Sequence, residues 1–370
     1  MKKRYFLIII SLLIVWTLLV ACYQDNGASM DHDSINEEEG QVLQIIDMVG
    51  REITIQGPID RIVAIGSALR LYTYINGTEK LVGVERGQQA VESGRPYILA
   101  NPQLGQLPIV GEGHPANPDP ELLLQVRPQV IIAGDIMDRA QIEHIEDTIG
   151  IPIVITSTSS GVFDQDTFQA LEIIGKITGK EERAQQIVNY IEESKSQLRE
   201  LTRDIAEEDK ARVYVGGLSY KGSHGIESTT IRSPLLDLIH ARNVADELEG
   251  QGSIMVDKEQ IIKWDPDIII IDQNGLDIVR EDYRKNPEFY NMLTAVETSQ
   301  LYGQLPYISY YNNIETALAD VYFLGKVIFP NEFKDIDPQD KADEIYNFFL
   351  GKPLYNTMAD KYGGYGKIQL

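Results

Sequence analysis

Short apolar runs alternate with amphipathic stretches from about residue 42 onward. The runs Leu43–Ile46 and Ile53–Ile55 flank the turn Asp47–Glu52, in which Gly50 supplies the reversal, and this spacing predicts a β-hairpin. Arg61–Ile65 is apolar after its first residue and rich in β-branched side chains, as is typical of a parallel strand covered on both faces. Similar runs recur at Leu81–Val84, Val130–Ala133 and Ile153–Ile155, with helical spacing between the runs at Leu69–Ile75, Glu121–Val126 and Arg139–Ile149. This alternation predicts an α/β lobe.

The pattern changes after Thr167. Phe168–Thr178 and Glu181–Glu208 both have helical spacing, and the second carries an apolar stripe on a charged surface. A helix over 181–208 would have about 28 residues and a length of about 42 Å. We interpret it as a rod between two lobes. A coiled-coil arm is the alternative, although the stripe is too brief for sustained heptads.

A second series of strands and helices follows the rod. Pro330 and Gly351 stand directly after its last two helical stretches, where such residues end helices. The predicted strands are Arg212–Val215 and Ile268–Asp272, and the predicted helices are Pro234–His240, Glu259–Lys263, Ile314–Phe329 and Asp340–Leu350. The second half is therefore also of the α/β type.

One unit occurs twice, 138 residues apart. Glu121 and Glu259 each open a two-turn helix, a proline follows seven residues later, and an apolar strand begins directly afterwards. A duplicated unit predicts two lobes of like topology on either side of the rod. The predicted fold is thus α/β, with two similar lobes joined by one long rigid helix, and we divide it into residues 41–178, 179–209 and 210–370.

The beginning of the chain indicates where the protein resides. The basic start Met1–Arg4 precedes the uncharged apolar run Tyr5–Ala21, a pattern typical of a secretory signal. Leu19–Cys22 is similar to the lipobox, in which cleavage precedes a cysteine that then carries diacylglycerol; a simple membrane anchor is the alternative. Residues 22–40 are acidic and nearly free of apolar side chains, so we expect a solvated tether. The folded part would lie outside the cytoplasm, anchored to the membrane through Cys22.

Charge and composition narrow the classes of function. The chain has 33 basic and 56 acidic residues, a net charge of −23, and loss of residues 1–21 would leave −26. Such a chain repels nucleic-acid phosphates. The single cysteine excludes a disulfide scaffold and a CxxC site. The sequence has neither a GxGxxG motif after a strand, nor GxSxG, nor HExxH, so we do not expect an enzyme.

From Asp47 to about Leu350 the chain resembles the substrate-binding lipoproteins of ABC importers, in the ferric-siderophore, haem and cobalamin group. The resemblance rests on Asp47–Glu52, on Arg61–Val63, on Ile149–Val154 and on the two Glu-to-Pro units. It implies a ligand cleft between the lobes, limited closure, no cofactor, and as partner an ABC permease dimer with its ATPase. We expect a monomer. The alternative to a transport function is a structural surface lipoprotein that has no transported ligand.

The resemblance also implies a role for the two matching glutamates. In such proteins a glutamate on each lobe docks into an arginine pocket of a permease subunit, which points to Glu121 and Glu259. A purely structural explanation is also available, because Asp119 and Asp257 make good helix starts and acidic residues in a first turn are favoured by the helix dipole, by about 0.3–1 kcal/mol.

A ligand between the lobes should contact the loops that follow the strands of each sheet. Basic side chains in these loops of an otherwise acidic protein would form a local positive pocket, and arginine suits carboxylates and other oxyanions. Tyrosines could stack on a chelator or bind iron through phenolate oxygen. The candidates are Arg70, Arg86, His114, Ser219, Tyr220, Lys221, His224, Asn274, Tyr310 and Tyr311. Roles in the core, in loop hydrogen bonds or in ion pairs stay open for several of them.

The preferred ligand is an iron-siderophore-type metal chelate. Cobalamin, haem and a small oxyanion are the alternatives, and the sequence does not show whether a metal would be bound directly by protein atoms.

Overall fold

The computed structural model describes residues 42–89, 94–113, 117–134, 139–156, 161–219 and 222–370. All of them belong to one unit, Gln41–Leu370. The predicted signal peptide and tether with Cys22 lie outside the described residues, as do the predicted ligand contacts His114, Tyr220 and Lys221. Across the described stretches, no helix is long and apolar enough to cross a membrane.

The predicted hairpin is confirmed. Strands β1 (Val42–Ile46) and β2 (Glu52–Gln56) pair antiparallel around a turn that is closed by side chains. The Asp47 carboxylate accepts the backbone N–H of Arg51 at 2.9 Å and forms an ion pair with its guanidinium at 2.8 Å. The same guanidinium reaches Glu146 at 2.7 Å, on a helix of the N-terminal lobe. The turn residues therefore fix the hairpin to that lobe.

Four parallel strands form the sheet of the N-terminal lobe. They are β3 (Ile62–Ile65), β4 (Leu81–Gly83), β5 (Val130–Ala133) and β6 (Ile153–Ile155), in the order β4-β3-β5-β6. All residues of β3, β5 and β6 are buried, and their alternate side chains enter two different hydrophobic clusters. Burial on both faces explains the continuous apolar runs. The helices of this lobe are α1 (Ala68–Asn76), α2 (Pro96–Ala100), α3 (Pro120–Val126), α4 (Arg139–Ile149) and α5 (Gln165–Thr178).

The linking helix, α6 (Glu181–Thr202), has 22 residues and is shorter than predicted. Its length is about 33 Å. The predicted continuation to residue 208 is wrong, because the chain turns after Thr202 and only a short 3-10 helix, Glu207–Asp209, follows. At the turn, the buried Thr202 hydroxyl lies 3.3 Å from the Leu198 carbonyl oxygen and 3.0 Å from Nδ1 of His240. The helical periodicity of the sequence does not predict this contact with the next lobe.

The sheet of the C-terminal lobe repeats the strand order of the first. Strands β7 (Arg212–Gly216), β9 (Arg242–Asn243), β11 (Ile268–Asp272) and β12 (Leu301–Gln304) are parallel, in the order β9-β7-β11-β12. In both lobes the order of these strands is second, first, third, fourth, which confirms the prediction of two similar lobes. A short strand, β13 (Gly366–Lys367), adds antiparallel to β12, and β8 (Ser228–Ile231) pairs separately with β10 (Gly252–Met255).

Eight helices of the described residues belong to this lobe. Among them, α12 and α13 pack closely against each other, and α13 also contacts α1 and α2 of the N-terminal lobe. They are α7 (Pro234–Leu238), α8 (Lys258–Trp264), α9 (Leu276–Lys285), α10 (Pro287–Asn291), α11 (Thr294–Glu297), α12 (Ile314–Ile328), α13 (Pro338–Leu350) and α14 (Tyr355–Tyr362).

Two side chains reinforce the contact between the lobes. Arg183 of α6 donates from Nε to the carbonyl oxygen of Tyr74 on α1, at 3.1 Å, and from Nη2 to the carbonyl oxygen of Phe348 on α13. Lys352, just after α13, donates to the carbonyl oxygen of Ala100 at the end of α2. The lobes are therefore joined by α6 and also braced through α13.

Candidate functional site

The loops at the carboxyl ends of β3, β4 and β5 converge in the N-terminal lobe. Ser67, after β3, donates its hydroxyl to the carbonyl oxygen of Gly134, after β5. The buried carboxylate of Glu85, after β4, accepts the N–H of Gly66 at 2.7 Å. This edge of a parallel sheet is where ligands of α/β folds bind.

A loop of the C-terminal lobe, 307–313, crosses to this edge. Its Asn312 donates from Nδ2 to the carbonyl oxygen of Gly161 in the N-terminal lobe, at 3.3 Å. Tyr310 points at two glycines of the N-terminal lobe: a Cβ on Gly113 would lie 2.2 Å from the Tyr310 hydroxyl oxygen, and one on Gly87 would lie 3.1 Å from its Cε2. The side chain of Tyr310 therefore occupies space that only glycine leaves open.

Two buried arginines meet at Tyr310. Arg70, on α1, donates from Nη1 to the Tyr310 carbonyl oxygen at 3.3 Å, and Arg95 holds its guanidinium 4.8 Å from the centre of the Tyr310 ring. Both arginines are only 3% exposed. Arg95 is anchored by Gln88 Oε1 at 3.1 Å and by the Gly87 carbonyl oxygen at 2.5 Å. The junction of the lobes thus carries two desolvated positive groups.

Arg95 is a site residue that the sequence analysis missed. It stands between Gly94 and Pro96, ahead of α2, in a stretch without a strand to mark it as a loop at a sheet end. The available signal was the arginine itself, placed at a helix start, where a positive charge opposes the helix dipole and needs another reason.

Acidic and phenolic groups surround Arg70. Tyr74 donates its hydroxyl to the buried Glu315 at the start of α12. Burial raises the pKa of the Glu315 carboxyl to about 7, against the opposing effects of the Tyr74 hydrogen bond and the charge of Arg70. Burial likewise raises the pKa of the Tyr97 hydroxyl, while Arg95 and Arg70 lower it. Arg70 was predicted to lie in a loop after β3, but the structure places it on α1, where it meets Tyr310 of the other lobe; its contact with a ligand stays a prediction.

Arg86 differs from the other two arginines. Its side chain is 59% exposed and forms an ion pair with Glu112, 3.0 Å away. Since both partners are exposed, this pair contributes little to stability. Arg86 therefore lies at the rim of the junction.

Three predicted contacts come together in the C-terminal lobe. Asn274 donates from Nδ2 to the hydroxyls of Ser219, at 2.7 Å, and of Ser223, at 2.9 Å. His224 is half-buried, and its carbonyl oxygen would lie 2.5 Å from a Cβ on Gly275. Ser219, His224 and Asn274 thus form one polar cluster after β7 and β11, whereas Arg70, Arg86, Tyr310 and Tyr311 belong to the junction described above.

Two carboxyl groups are buried behind this cluster. Asp272, the last residue of β11, accepts the N–H of Asn274 at 3.0 Å, and burial raises its pKa to about 7. Asp320 accepts the Tyr365 hydroxyl at 2.8 Å, and burial raises its pKa well above the usual range. The described residues contain no group of three or more His, Cys, Asp or Glu side chains that could hold a metal ion. Guanidinium groups such as those of Arg70 and Arg95 are well suited to charge-assisted hydrogen bonds with anions.

The duplicated helices match in detail. Helix α3 is capped by Asp119, which accepts the N–H of Glu121 at 2.9 Å, and α8 is capped by Asp257, which accepts the N–H of Gln260 at 2.7 Å. Both helices end at a left-handed residue, Arg127 with φ 46° and Asp265 with φ 40°. Glu121 and Glu259 are both exposed in the first turn.

Each helix starts beside the binding edge of its own lobe. Asp119 donates its N–H to the carbonyl oxygen of Val110, close to the loop that holds Gly113. Val256 donates its N–H to the carbonyl oxygen of Glu227, beyond the loop that holds His224. Glu121 and Glu259 therefore lie at equivalent ends of equivalent sheets.

The far ends of the helices are held by a pair of matching arginines. Arg61, before β3, donates from Nε to the Arg127 carbonyl oxygen at 3.0 Å. Arg212, at the start of β7, donates from Nη1 to the Asp265 carbonyl oxygen at 3.5 Å. The cap carbonyl of each helix is thus tied to the first strand of its lobe.

The chain is similar to known proteins over most of its length. The sequence model of a family described as periplasmic binding protein matches residues 76–305. The molybdate-binding protein MolA of Haemophilus influenzae is 22% identical over 326 residues, 82% of this chain and 90% of that protein. The uncharacterized ABC transporter substrate-binding lipoprotein YvrC of Bacillus subtilis is 21% identical over 338 residues, 90% of this chain and 100% of that protein.

Solved structures share the fold. A periplasmic solute-binding protein from Veillonella parvula superposes with a TM-score of 0.69 at 20% identity, covering 87% of this chain and 97% of that one. MolA with bound molybdate superposes with a TM-score of 0.67 at 20% identity, covering 84% of this chain and 98% of that one. At this level of identity the likeness establishes the architecture.

Proposed function

Because the chain belongs to the periplasmic binding protein family, we propose that it captures a small anionic solute between its lobes and delivers it to the permease of an ABC importer. The observation that carries this proposal is the pair of buried arginines, Arg70 and Arg95, at the junction of the lobes. Buried positive groups that face a junction suit a ligand with negative oxygen atoms.

The class of protein follows from its relatives. Both curated relatives are binding components, one named for molybdate and the other for an ABC transporter. The chain is accordingly a substrate-binding protein of ABC-transporter type, and the prediction that it is not an enzyme is confirmed by its family.

The identity of the solute is the finer part of the proposal. An iron-siderophore-type chelate is the preferred ligand, since chelates of the catecholate and carboxylate types are anionic and offer aromatic or oxygen-rich surfaces to arginine and tyrosine. A small oxyanion is the second candidate, and the likeness to MolA favours it. Cobalamin and haem remain further alternatives.

One experiment separates these ligands. The protein is purified from its host without added solute and examined by native mass spectrometry. A captured mass of a ferric chelate or of an oxyanion would identify the ligand directly, and isothermal titration with the identified compound would measure its affinity. A protein that carries no solute, and that no candidate compound stabilises against heat, would contradict the proposal, because a ligand at 100 times its Kd should stabilise by about 2.7 kcal/mol.

We also propose that Cys22 is lipidated and holds the protein on the outer face of the cell membrane. The support is the sequence Leu19–Cys22 and the acidic tether that follows it. Replacing Cys22 with alanine should release the protein from the membrane fraction, and mass spectrometry of the wild-type N-terminus should find a diacylglyceryl group. Membrane retention of Cys22→Ala would contradict the proposal.

Glu121 and Glu259 are proposed to dock onto the two permease subunits. Their support is their matching place and exposure at the binding edge of each lobe. We expect Glu121→Lys with Glu259→Lys to abolish uptake, because each positive charge would meet an arginine pocket, while solute affinity stays within twofold, an order-of-magnitude bound for a distant substitution. Uptake of labelled solute by cells and titration of the purified protein measure the two effects.

A matched control uses the linking helix. Glu181 and Glu182 are also acidic residues in a first turn. Glu181→Lys with Glu182→Lys changes the net charge by the same amount and should leave uptake unchanged. Equal loss of uptake in both double variants would mean that total charge matters and that docking by the two glutamates does not.

A further inference from the structure

Tyr310 links the two lobes at their junction. It belongs to the C-terminal lobe, yet its hydroxyl lies against Gly113 and its ring against Gly87, both in the N-terminal lobe. A Cβ on Gly113 would lie 2.2 Å from the tyrosine, and a Cβ on Gly87 would lie 3.1 Å from it. The ring therefore fills the space at the ends of the N-terminal strands, where the proposed solute would bind.

The positive charges around Tyr310 suit an anion better than they suit the phenol ring of this residue. Arg95 faces the ring at 4.8 Å, and Arg70 donates to the backbone oxygen of this residue at 3.3 Å. The Nε of Arg70 is buried and has no hydrogen-bond partner among the described residues. A phenol ring attracts a cation weakly, whereas an anion offers charge-assisted hydrogen bonds.

The backbone of Tyr310 is also unusual. Tyr310 and Tyr311 are consecutive non-glycine residues in the left-handed region, with φ 53° and 77°. Their loop is held at its base, where Asn313 donates from Nδ2 to the carbonyl oxygens of Tyr307, at 3.0 Å, and Ser309, at 3.2 Å. Such strain clusters at ligand clamps and switch regions. The loop thus has a fixed base and a strained tip.

We infer that the Tyr310 side chain occupies the place of the solute's anionic group in the solute-free protein and leaves when the solute binds. This inference rests on the proposed function and names the chemistry of its site: a small anion that bonds to the guanidinium groups of Arg95 and Arg70. Tyr310 then acts as a specificity residue. A neutral solute gains too little from the two arginines to displace the ring, whereas an anion does.

The test measures anion binding by the full chain and by variants of Tyr310. The probes are sodium molybdate and, in parallel, an anionic ferric catecholate chelate. For at least one of them we expect Tyr310→Ala to bind roughly tenfold more tightly than wild type, because the competing state is gone. Tyr310→Phe keeps the ring and should bind as wild type does. Tyr283→Ala is the matched control; its ring, on α9, lies edge-on to that of Tyr290 at 5.4 Å, outside the junction, and its loss should not affect affinity.

A second measurement does not depend on the alanine variant folding. A fluorotyrosine at position 310 reports how far its ring is exposed to solvent, through the H2O/D2O isotope shift of its ¹⁹F resonance. We expect a small shift without anion and a larger one with it, since the ring leaves the junction.

Three results would overturn the inference. If Tyr310→Ala binds both anions equally or more weakly than wild type, Tyr310 is a ligand contact or a bystander. If the isotope shift of the ¹⁹F resonance stays small when anion is bound, the ring does not leave the junction. If neither wild type nor Tyr310→Ala binds either anion, the assigned ligand chemistry is wrong; a solute found on the purified wild type by native mass spectrometry would still uphold the transport function, and its absence would contradict both.

Discussion

Asp272 ends a strand of four isoleucines and is fully buried. Its Oδ1 accepts an N–H at 3.0 Å, while its Oδ2 has no hydrogen-bond partner among the described residues. Burial disfavours the ionised form and raises the pKa to about 7, although hydrogen bonds from the backbone of Asn274 and Ser219 oppose this effect. Asp272 should therefore contribute to the pH dependence of stability, as should the buried Glu315 and Asp320.

The sign of the dependence follows from the two pKa values of Asp272. Below about pH 4 the carboxyl is protonated in both states; between about pH 4 and 7 only the unfolded chain loses the proton, so stability falls as pH rises. The loss is at most about 1.4 kcal/mol per pH unit. We expect Asp272→Asn to show a smaller loss of unfolding free energy from pH 5 to pH 7 than wild type, measured by urea unfolding. The exposed Asp166→Asn is the control, and equal pH dependence of Asp272→Asn and wild type would refute this account.

Single residues show where sequence analysis reached its limit. The basic character of Arg70 and the loop that contains Tyr310 and Tyr311 could be recognised from residue type and from strand ends. The meeting of Arg70, Arg95 and Tyr310 could not, because it depends on how a loop of one lobe lies against the other. No local pattern encodes that contact.

At the scale of elements, the two seven-residue helices α3 and α8 share a backbone but differ at their ends. Arg127 and Asp265 both adopt the left-handed conformation. The exposed Arg127 side chain has no hydrogen bond within the described residues, whereas the Asp265 carboxylate accepts the N–H of Thr294 at 2.8 Å and its hydroxyl at 2.7 Å. Glycine relieves the left-handed strain in either place.

This difference predicts opposite outcomes. Arg127→Gly should stabilise the fold by up to about 1 kcal/mol, because it removes strain and no side-chain contact. Asp265→Gly should destabilise it by about 1–2 kcal/mol, because two hydrogen bonds to a charged group are lost. Thermal and urea unfolding of the two variants measure these changes. A destabilising Arg127→Gly would mean that the guanidinium supports the helix in a way that its contacts do not reveal.

Elements with strong periodicity were predicted well. The apolar runs of β3, β5, β6 and β11 and the duplicated helices α3 and α8 lie where the pattern placed them. The antiparallel pair β8 and β10 and the short helices α10 and α11 were missed. They are four or five residues long and partly polar, so their conformation comes from neighbours in space and not from their own sequence.

For the whole molecule, Arg183 connects three parts of the structure. Its guanidinium bonds to carbonyl oxygens of α1 and α13, lies 4.7 Å from the ring of Phe348, and has a pKa lowered by burial. Hydrogen bonds from a charged group are among the stronger ones in proteins. Arg183 thus stabilises the arrangement of the two lobes.

We expect Arg183→Met to destabilise the protein by about 2 kcal/mol, since two part-buried carbonyl groups lose a charged donor. Solute affinity should change less than stability, because Arg183 lies outside the junction around Tyr310. Urea unfolding and titration calorimetry measure the two quantities. The exposed Arg199→Met on the same helix is the control, and a similar loss of stability there would contradict the bracing role.

The matching arginines Arg61 and Arg212 have a consequence for signalling to the permease. Each ties the end of a proposed docking helix to the start of a short buried strand, and the other end of that strand leads into a loop of the proposed solute site. We therefore expect each lobe to move as one body when solute binds. The permease would then detect bound solute through a change in the distance between Glu121 and Glu259. No rearrangement inside either lobe would be needed.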